Sequence, residues 1–379
     1  MKYCKQCLQP DTRPGVVFNE NHVCMACVFE ENKSKIDWNK RLSDLKTIAE
    51  EAIRTKTNVY DCVIGVSGGK DSTFQAVYAK EKLGLNPLLV NSVPDGITEI
   101  GRHNIDNLSR LGFDMIQIRP DPNIACRLAK KGFIEKGNIA IYSEFALWSS
   151  AYIIASRFDI PLVIQGENAA ITLGTCSFQD INDDATNVVD LNTLKNVNLE
   201  TLADEGYPVE KLWVYSLNRI EEAKKKGVRG IYLQYYVKEW SQVYNADFAS
   251  ARGLWGRIRE DLHHLGRYRR YTCLDTDLVM PNQLLKYLKY GFGFATDESC
   301  YDIREGRLTR DDAIWLVKEY DGKCGEQYLQ LACDYLKMTR EEFWKIADGF
   351  VNKELFRLGN ASEDRWVPKF EVGVDFNEN

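Results

Sequence analysis

The residues with the clearest chemical potential are Ser67-Gly68-Gly69-Lys70-Asp71-Ser72. They follow the apolar run Val59-Tyr60-Asp61-Cys62-Val63-Ile64-Gly65-Val66 and precede a helix-like stretch. A strand, a glycine turn and a helix N-terminus together build an anion site. The glycines let backbone approach the anion. The free N–H groups and the helix dipole point at it. Lys70 adds a full positive charge, and Ser67 and Ser72 add hydroxyl donors. The spacing is not that of the Gly-x-x-x-x-Gly-Lys-Ser/Thr loop, because counting from Gly65 places Lys70 where Gly is required, and the residue directly after the Lys is Asp71 instead of Ser or Thr. An acid beside a phosphate cradle is repulsive unless a cation lies between them. Asp71 therefore points to Mg²⁺ on a pyrophosphate. A ligand-free glycine turn is the plain alternative, and the concentration of Ser, Lys, Asp and Ser in one turn weighs against it.

At these residues the chain resembles the PP-loop ATP pyrophosphatases, whose signature is Ser-Gly-Gly-x-Asp-Ser. The resemblance implies cleavage of ATP to AMP and pyrophosphate, with AMP passed to a substrate oxygen. Asn91 and Ser92, ending the second strand, are then expected beside the nucleotide with Gly166. Gln165-Gly166-Glu167-Asn168 follows the fourth strand and should face the same crevice. Gly166 would permit close approach to ATP, and Glu167 could hold Mg²⁺ or contact a sugar hydroxyl. A strand-end turn with a solvated Glu167 is the other reading.

A second constellation opens the chain. Cys4-x-x-Cys7 and Cys24-x-x-Cys27 are separated by sixteen residues, a spacing that fits a four-cysteine Zn²⁺ site. Pro10, Pro14, Gly15 and Val16-Val17-Phe18 leave room for a turn and a small hairpin, too little core to stand without a metal. All four positions are filled by Cys, so structural zinc is expected over catalytic zinc. Free thiols or a redox pair are the alternatives.

These groups need a scaffold. Apolar runs at 60–66, 87–93, 113–118, 161–165 and 230–236 read as strands. Helical stretches lie between the earlier ones, notably 72–83, ended by Gly84, and 98–111, ended by Gly112. Strands alternating with helices indicate an α/β fold with a parallel sheet covered on both faces. The expected division is a zinc ribbon at 1–35, a linker helix at 36–57 and a PP-loop ATP pyrophosphatase (adenine nucleotide alpha hydrolase-like) domain at 58–240. A C-terminal helical substrate or partner region at 241–357 and an extended polar tail at 358–379 follow. The polar stretch from Gly166 to about Gly227, with Asp180-Ile181-Asn182-Asp183-Asp184, reads as an excursion covering the site. Helical patterns recur at 282–290, 310–320, 327–336 and 340–350.

The net charge of −6 argues against a general nucleic-acid binder. No apolar stretch is long enough to span a bilayer, and the N-terminus has no signal-peptide pattern. Eleven cysteines in that context read as cytoplasmic thiols or metal ligands.

Other segments carry weaker signals. The run from Asp95 to Asn104, including His103, could contact nucleotide or substrate, or simply start a helix at Asp95 or Thr98. Arg267, Arg269 and Arg270 interleave with Tyr268 and Tyr271. That pattern can bind RNA, bind the diphosphate of a sugar nucleotide, or decorate a helix end. Arg304 and Arg307 could stabilise leaving pyrophosphate, as could Lys289, or form surface ion pairs. A glutaminase centre does not stand out. Gly174-Thr175-Cys176-Ser177-Phe178 breaks the nucleophile-elbow pattern at its last position, and the chain holds four His. If the chain consumes ammonia, another polypeptide would supply it.

Several segments together resemble the N-acetyl sugar amidotransferases of bacterial surface-polysaccharide biosynthesis, within the PP-loop superfamily. They are the cysteine ribbon with Pro10-Asp11-Thr12-Arg13-Pro14-Gly15, the loop 67–72, Thr98-Glu99-Ile100-Gly101 with Asn104, and Gly166-Glu167-Asn168. Ala295-Thr296-Asp297, Tyr301-Asp302-Ile303-Arg304 and Gly306-Arg307 complete the set. The resemblance implies ATP, Mg²⁺ and structural Zn²⁺, a nucleotide-linked N-acetyl sugar as substrate and a glutaminase subunit as partner. Lys70, Asp71, Glu167, Arg304 and Arg307 are the expected catalytic residues. A PP-loop enzyme that thiolates or amidates tRNA is the alternative.

Overall fold

Side chains on the central strands alternate between two buried layers, as a period of two residues requires. Val63 packs with Tyr152 and Val163 on one face, while Cys62 and Ile64 pack with Phe74 and Leu89 on the other. The computed structural model describes residues 1–187, 202 and 205–376. Its main sheet has five parallel strands: β1 Cys62–Gly65, β2 Pro87–Ser92, β3 Met115–Ile118, β4 Leu162–Gln165 and β5 Arg229–Tyr232. Their order is β3-β2-β1-β4-β5. The chain thus winds outward from β1 in both directions. The resulting crevice lies outside the carboxyl ends of β1 and β4, where open parallel sheets bind ligands. The α/β expectation holds.

Each expected strand run contains a strand, and one departs in length. After Tyr232 the chain enters a tight turn at Leu233–Tyr235, because Gln234 leaves the ladder to bond the neighbouring strand end. Its N–H donates to the Gly166 carbonyl (3.1 Å), and its side-chain oxygen accepts from the Asn168 N–H (2.7 Å).

The helix Lys70–Leu83 starts on Gly69 and ends on Gly84, whose φ of +66° suits a glycine C-cap. The helix Ile141–Arg157 leads from the third strand region into β4 and is buried along most of its length. The helix Gln242–Ser250 lies on Lys70–Leu83, where Phe74 meets Trp240, Tyr244 and Phe248 edge to face. Residues 242–250 therefore pack in the same layer as the helix Lys70–Leu83.

The ribbon holds two short bridges, Tyr3–Pro10 and Phe18–Cys24, and the helix Met25–Asn32. The C-terminal helices run Val279–Tyr290, Phe294–Arg304, Arg310–Tyr320, Glu326–Leu336 and Arg340–Ala347. Val279–Tyr290, Glu326–Leu336 and Arg340–Ala347 share a core with the helix Pro122–Lys136, partly through Phe133 stacked on Phe343 at 4.8 Å, while Phe294–Arg304 and Arg310–Tyr320 pack with the ribbon.

The expected extended tail is instead folded back. Phe356–Leu358 pairs with Trp366–Pro368, Phe370 is buried, and Phe376 exchanges backbone hydrogen bonds with Met1 (2.8 and 2.9 Å). Apolar residues inside a polar segment supply the reason. Part of the expected excursion, 188–201 and 203–204, lies outside the described residues. Its Asp183 is tied to β5 by Arg229 (3.1 Å) and Tyr236 (2.5 Å). Among the described residues no helix is long and apolar enough to cross a membrane.

Candidate functional site

The loop 67–72 sits at the crevice. Gly68 has φ +75°, and a Cβ there would come within 3.0 Å of the Ile105 backbone nitrogen, so the position requires glycine. Gly69 caps the helix with extended backbone, which leaves the first helical N–H groups unpaired within the helix. Lys70 is buried, and its Nζ lies 2.5 Å from Asp71 Oδ2. Asn245 donates to the other Asp71 oxygen at 2.8 Å. Ser72 Oγ donates to the Gly69 carbonyl at 3.1 Å. The hydroxyl of Ser67 lies over the same turn, 3.3 Å from where a Gly69 Cβ would stand.

Asn91 closes the wall by donating to the Val66 carbonyl (2.8 Å), just ahead of the loop. Ser92 ends β2 and is half-buried. The oxygens of Asn91, Gln75 and Asn245 are shielded from solvent without a hydrogen-bond partner. Buried polar atoms without partners are costly. Here they belong to residues beside the loop, which offers Lys70, Asp71 and helix N–H groups, a donor and acceptor set that fits a metal-bound polyphosphate.

Glu167 closes the opposite side. It is half-buried and accepts a hydrogen bond from Tyr301 Oη at 2.9 Å. Burial and the nearby Asp71 carboxylate push its pKa above the usual range, with Lys70 and Tyr301 pulling the other way. Gly166 does not face open space for ATP. A Cβ there would stand 2.0 Å from the Gln75 amide nitrogen and 2.9 Å from the Trp240 ring. Replacing Gly166 by Ala is therefore expected to destabilise the protein by about 1–3 kcal/mol through overpacking. Urea unfolding checks it, and an unchanged midpoint would contradict it.

Arg304 and Arg307 have partners other than the loop. Arg304 Nη2 donates to the Thr172 carbonyl at 3.0 Å, and its guanidinium lies over the Tyr301 ring. Arg307 pairs with Asp302 (2.5 Å) and Glu305. Lys289 donates to the Lys136 carbonyl. The Arg–Tyr run is built inward. Arg267 is fully buried over the Phe294 ring, Arg269 pairs with Asp302, and Arg270 donates to the carbonyls of Arg257 and Glu260. A run committed in this way offers no open RNA-binding face. In the run from Asp95 it is Thr98 that starts the helix, accepting from the Gly101 N–H at 2.9 Å, while Asp95 accepts from Tyr335. His103 stacks on Trp255. Cys176 packs with Phe29 and Ile171, and burial raises its thiol pKa, the opposite of an activated nucleophile.

The four ribbon cysteines converge. Their sulfurs lie within 4.8 Å of one another, with Cys4–Cys27 at 3.9 Å and Cys7–Cys24 at 3.7 Å. Tetrahedral zinc with Zn–S bonds near 2.3 Å requires sulfurs about 3.8 Å apart. Backbone N–H groups of Gln6, Gln9 and Cys24 point at the sulfurs of Cys4 and Cys7 from 3.2 to 3.5 Å. That donor set suits thiolates, so the residues present fit Zn²⁺.

Asn245, Tyr301 and Gln234 are the contributors that sequence reasoning missed or left without a partner. Asn245 and Gln234 carry no motif. Tyr301 lies within the run Tyr301-Asp302-Ile303-Arg304, whose aromatic residue was the available signal.

Residues 265–368 match the family model for the C-terminal domain of WbpG-like LPS biosynthesis proteins. The helix Phe294–Arg304 lies inside the matched segment, and its Tyr301 reaches Glu167. No curated protein matches the chain. Among solved structures, an NH3-dependent NAD synthetase from Campylobacter jejuni subsp. jejuni NCTC 11168, in complex with nitrate, is 17% identical with a TM-score of 0.30, covering 51% of this chain and 94% of that one. An NMN synthetase from Francisella tularensis is 15% identical with a TM-score of 0.29, covering 51% and 96%. Likenesses at this level say nothing of what this chain does.

Proposed function

We propose that the chain is an ATP-dependent amidotransferase of surface-polysaccharide biosynthesis, which converts the acetamido group of a nucleotide-linked N-acetyl sugar to an acetamidine. One observation carries this reading. A segment matching an LPS biosynthesis domain places Tyr301 on Glu167, beside a loop built for a polyphosphate.

An acetamido carbonyl is a poor electrophile. Its oxygen attacks the α-phosphorus of ATP, pyrophosphate leaves, and the nitrogen gives up its proton, which leaves an O-adenylyl imidate. Ammonia then adds to the imidate carbon, and AMP departs with the C–O bond. No covalent enzyme intermediate is needed. Lys70 and the helix N–H groups neutralise and orient the phosphates. Mg²⁺, held by Asp71, would add charge neutralisation on the pyrophosphate. Glu167 is placed to accept a proton at the reacting amide or from the incoming ammonia, and its raised pKa suits that task.

The nitrogen source follows from the chain's own thiols. Cys176 lacks an activating base among its contacts, so a separate glutaminase subunit would supply ammonia. Purified chain with ATP, Mg²⁺, ammonium and a UDP- or CMP-linked N-acetyl sugar is expected to give AMP, pyrophosphate and a product about 1 Da lighter, as exchange of O for NH requires. Glutamine in place of ammonium should give no product until a glutaminase is added. Pyrophosphate release that ignores the sugar nucleotide would overturn the substrate, and efficient glutamine use by the chain alone would overturn the partner.

A further inference from the structure

The helix Phe294–Arg304 is a wall shared by two sites. Ala295 and Cys300 pack into the apolar seat of the cysteine cluster, where the Cys300 thiol meets Cys7. Tyr301 donates to Glu167. The start of this helix is pinned. Asp321 accepts from the N–H groups of Gly293 and Ala295, both at 2.8 Å. Asp297 is gripped by the ribbon's own Arg13 and by Lys286. Ribbon and crevice therefore touch neighbouring positions of one held element.

Charge adds a second link. Four thiolates around a divalent ion leave about two net negative charges in a site shielded from water, and a buried charge of that kind needs a counter-charge. Arg304 ends the same helix. Its Nη1 is shielded from solvent and has no hydrogen-bond partner. Arg304 stands one turn after Cys300, which packs in the same apolar cluster as the four ribbon cysteines, so both side chains leave one face of the helix. The guanidinium also covers the Tyr301 ring at 4.9 Å, so whatever holds Arg304 also limits Tyr301.

We propose that Arg304 is the counter-charge of the metal-bound cluster of Cys4, Cys7, Cys24 and Cys27, and that Tyr301 on the same helix links metal retention to the position of Glu167. Arg304 is then a positioning residue of the metal site, not a pyrophosphate ligand. The link to Glu167 rests on the nucleotide reading above; the counter-charge does not. Coupling of affinities is reciprocal by thermodynamic necessity, so a nucleotide that fixes Glu167 must also tighten metal binding, and the expected expression of that tightening is slower release.

The test follows zinc release from the full chain into a colorimetric chelator, with and without Mg²⁺ and a non-hydrolysable ATP analogue. Arg304→Met should release zinc about tenfold faster or more, the range for outer-shell partners. Arg304→Lys, which keeps the charge, should recover most of the difference. The analogue should slow release severalfold in the wild type. Tyr301→Phe should abolish that slowing and leave basal release near the wild-type rate. Wild-type release from Arg304→Met would overturn the counter-charge. Analogue that binds by calorimetry and leaves wild-type release unchanged would overturn the link. If Arg304→Met fails to fold by circular dichroism, Arg304→Gln takes its place with the same expected result. Absence of analogue binding would instead strike the nucleotide reading, and the Arg304 variants would still decide the counter-charge.

Discussion

Replacing Lys70 by alanine is expected to lower AMP formation by about a thousandfold or more, a loss of roughly 4 kcal/mol of transition-state stabilisation. The residue opens the helix Lys70–Leu83 at the crevice, with its ammonium 2.5 Å from Asp71. Removing it takes away the positive charge nearest the phosphates and leaves the Asp71 carboxylate facing them. Repulsion then adds to the lost attraction. Zinc content should not change, because the cysteine cluster shares no hydrogen bond with the loop. Pyrophosphate release at saturating ATP is the measurement. Turnover within tenfold of wild type would show that the loop does not hold the reacting phosphates.

The second large effect is at the ribbon. Cys4→Ser should reduce bound zinc from one ion per chain to almost none and destabilise the protein by about 5 kcal/mol or more, since metal affinity in such sites is folding free energy. For a chain of this size that is a fall in melting temperature of roughly 6 °C. Cys4 is fully buried, accepts from the N–H groups of Gln6 and Cys24, and lies in the same apolar cluster as Ala295 and Cys300. The loss should therefore loosen the C-terminal helices as well as the ribbon. Elemental analysis with thermal unfolding checks this. Wild-type protein that is fully folded and free of zinc would refute it.

The parts of the molecule legible in the sequence are those where local chemistry leaves a mark. Gly84 and Gly112 both take positive φ and end their helices, as read. The cysteine spacing alone brings the sulfurs together. The helix Ile141–Arg157 was missed because it is buried around much of its circumference, which erases the one-sided apolar pattern that marks a surface helix. Arg267 looked like part of a basic surface run, yet it is fully buried on Phe294. Sequence spacing cannot show whether a guanidinium faces water or an aromatic ring. Asn245 and Asp71, joined at 2.8 Å, lie 174 residues apart, so no local pattern connects them. Glu167 was placed correctly at the end of β4, but its partner Tyr301 came from a distant helix.

The wall that Phe294–Arg304 gives the ribbon has a consequence for biosynthesis. The cysteines leave the ribosome well before their covering helix. At roughly 5–20 residues per second, the interval between Cys27 and Arg304 is about 15–60 s. During that time Cys4, Cys7, Cys24 and Cys27 lack the shelter of Ala295 and Cys300. Nascent thiolates without cover are open to oxidation, and early capture of a metal is the protection available to them. The yield of active protein should then depend on zinc supply during translation more than on zinc added after purification.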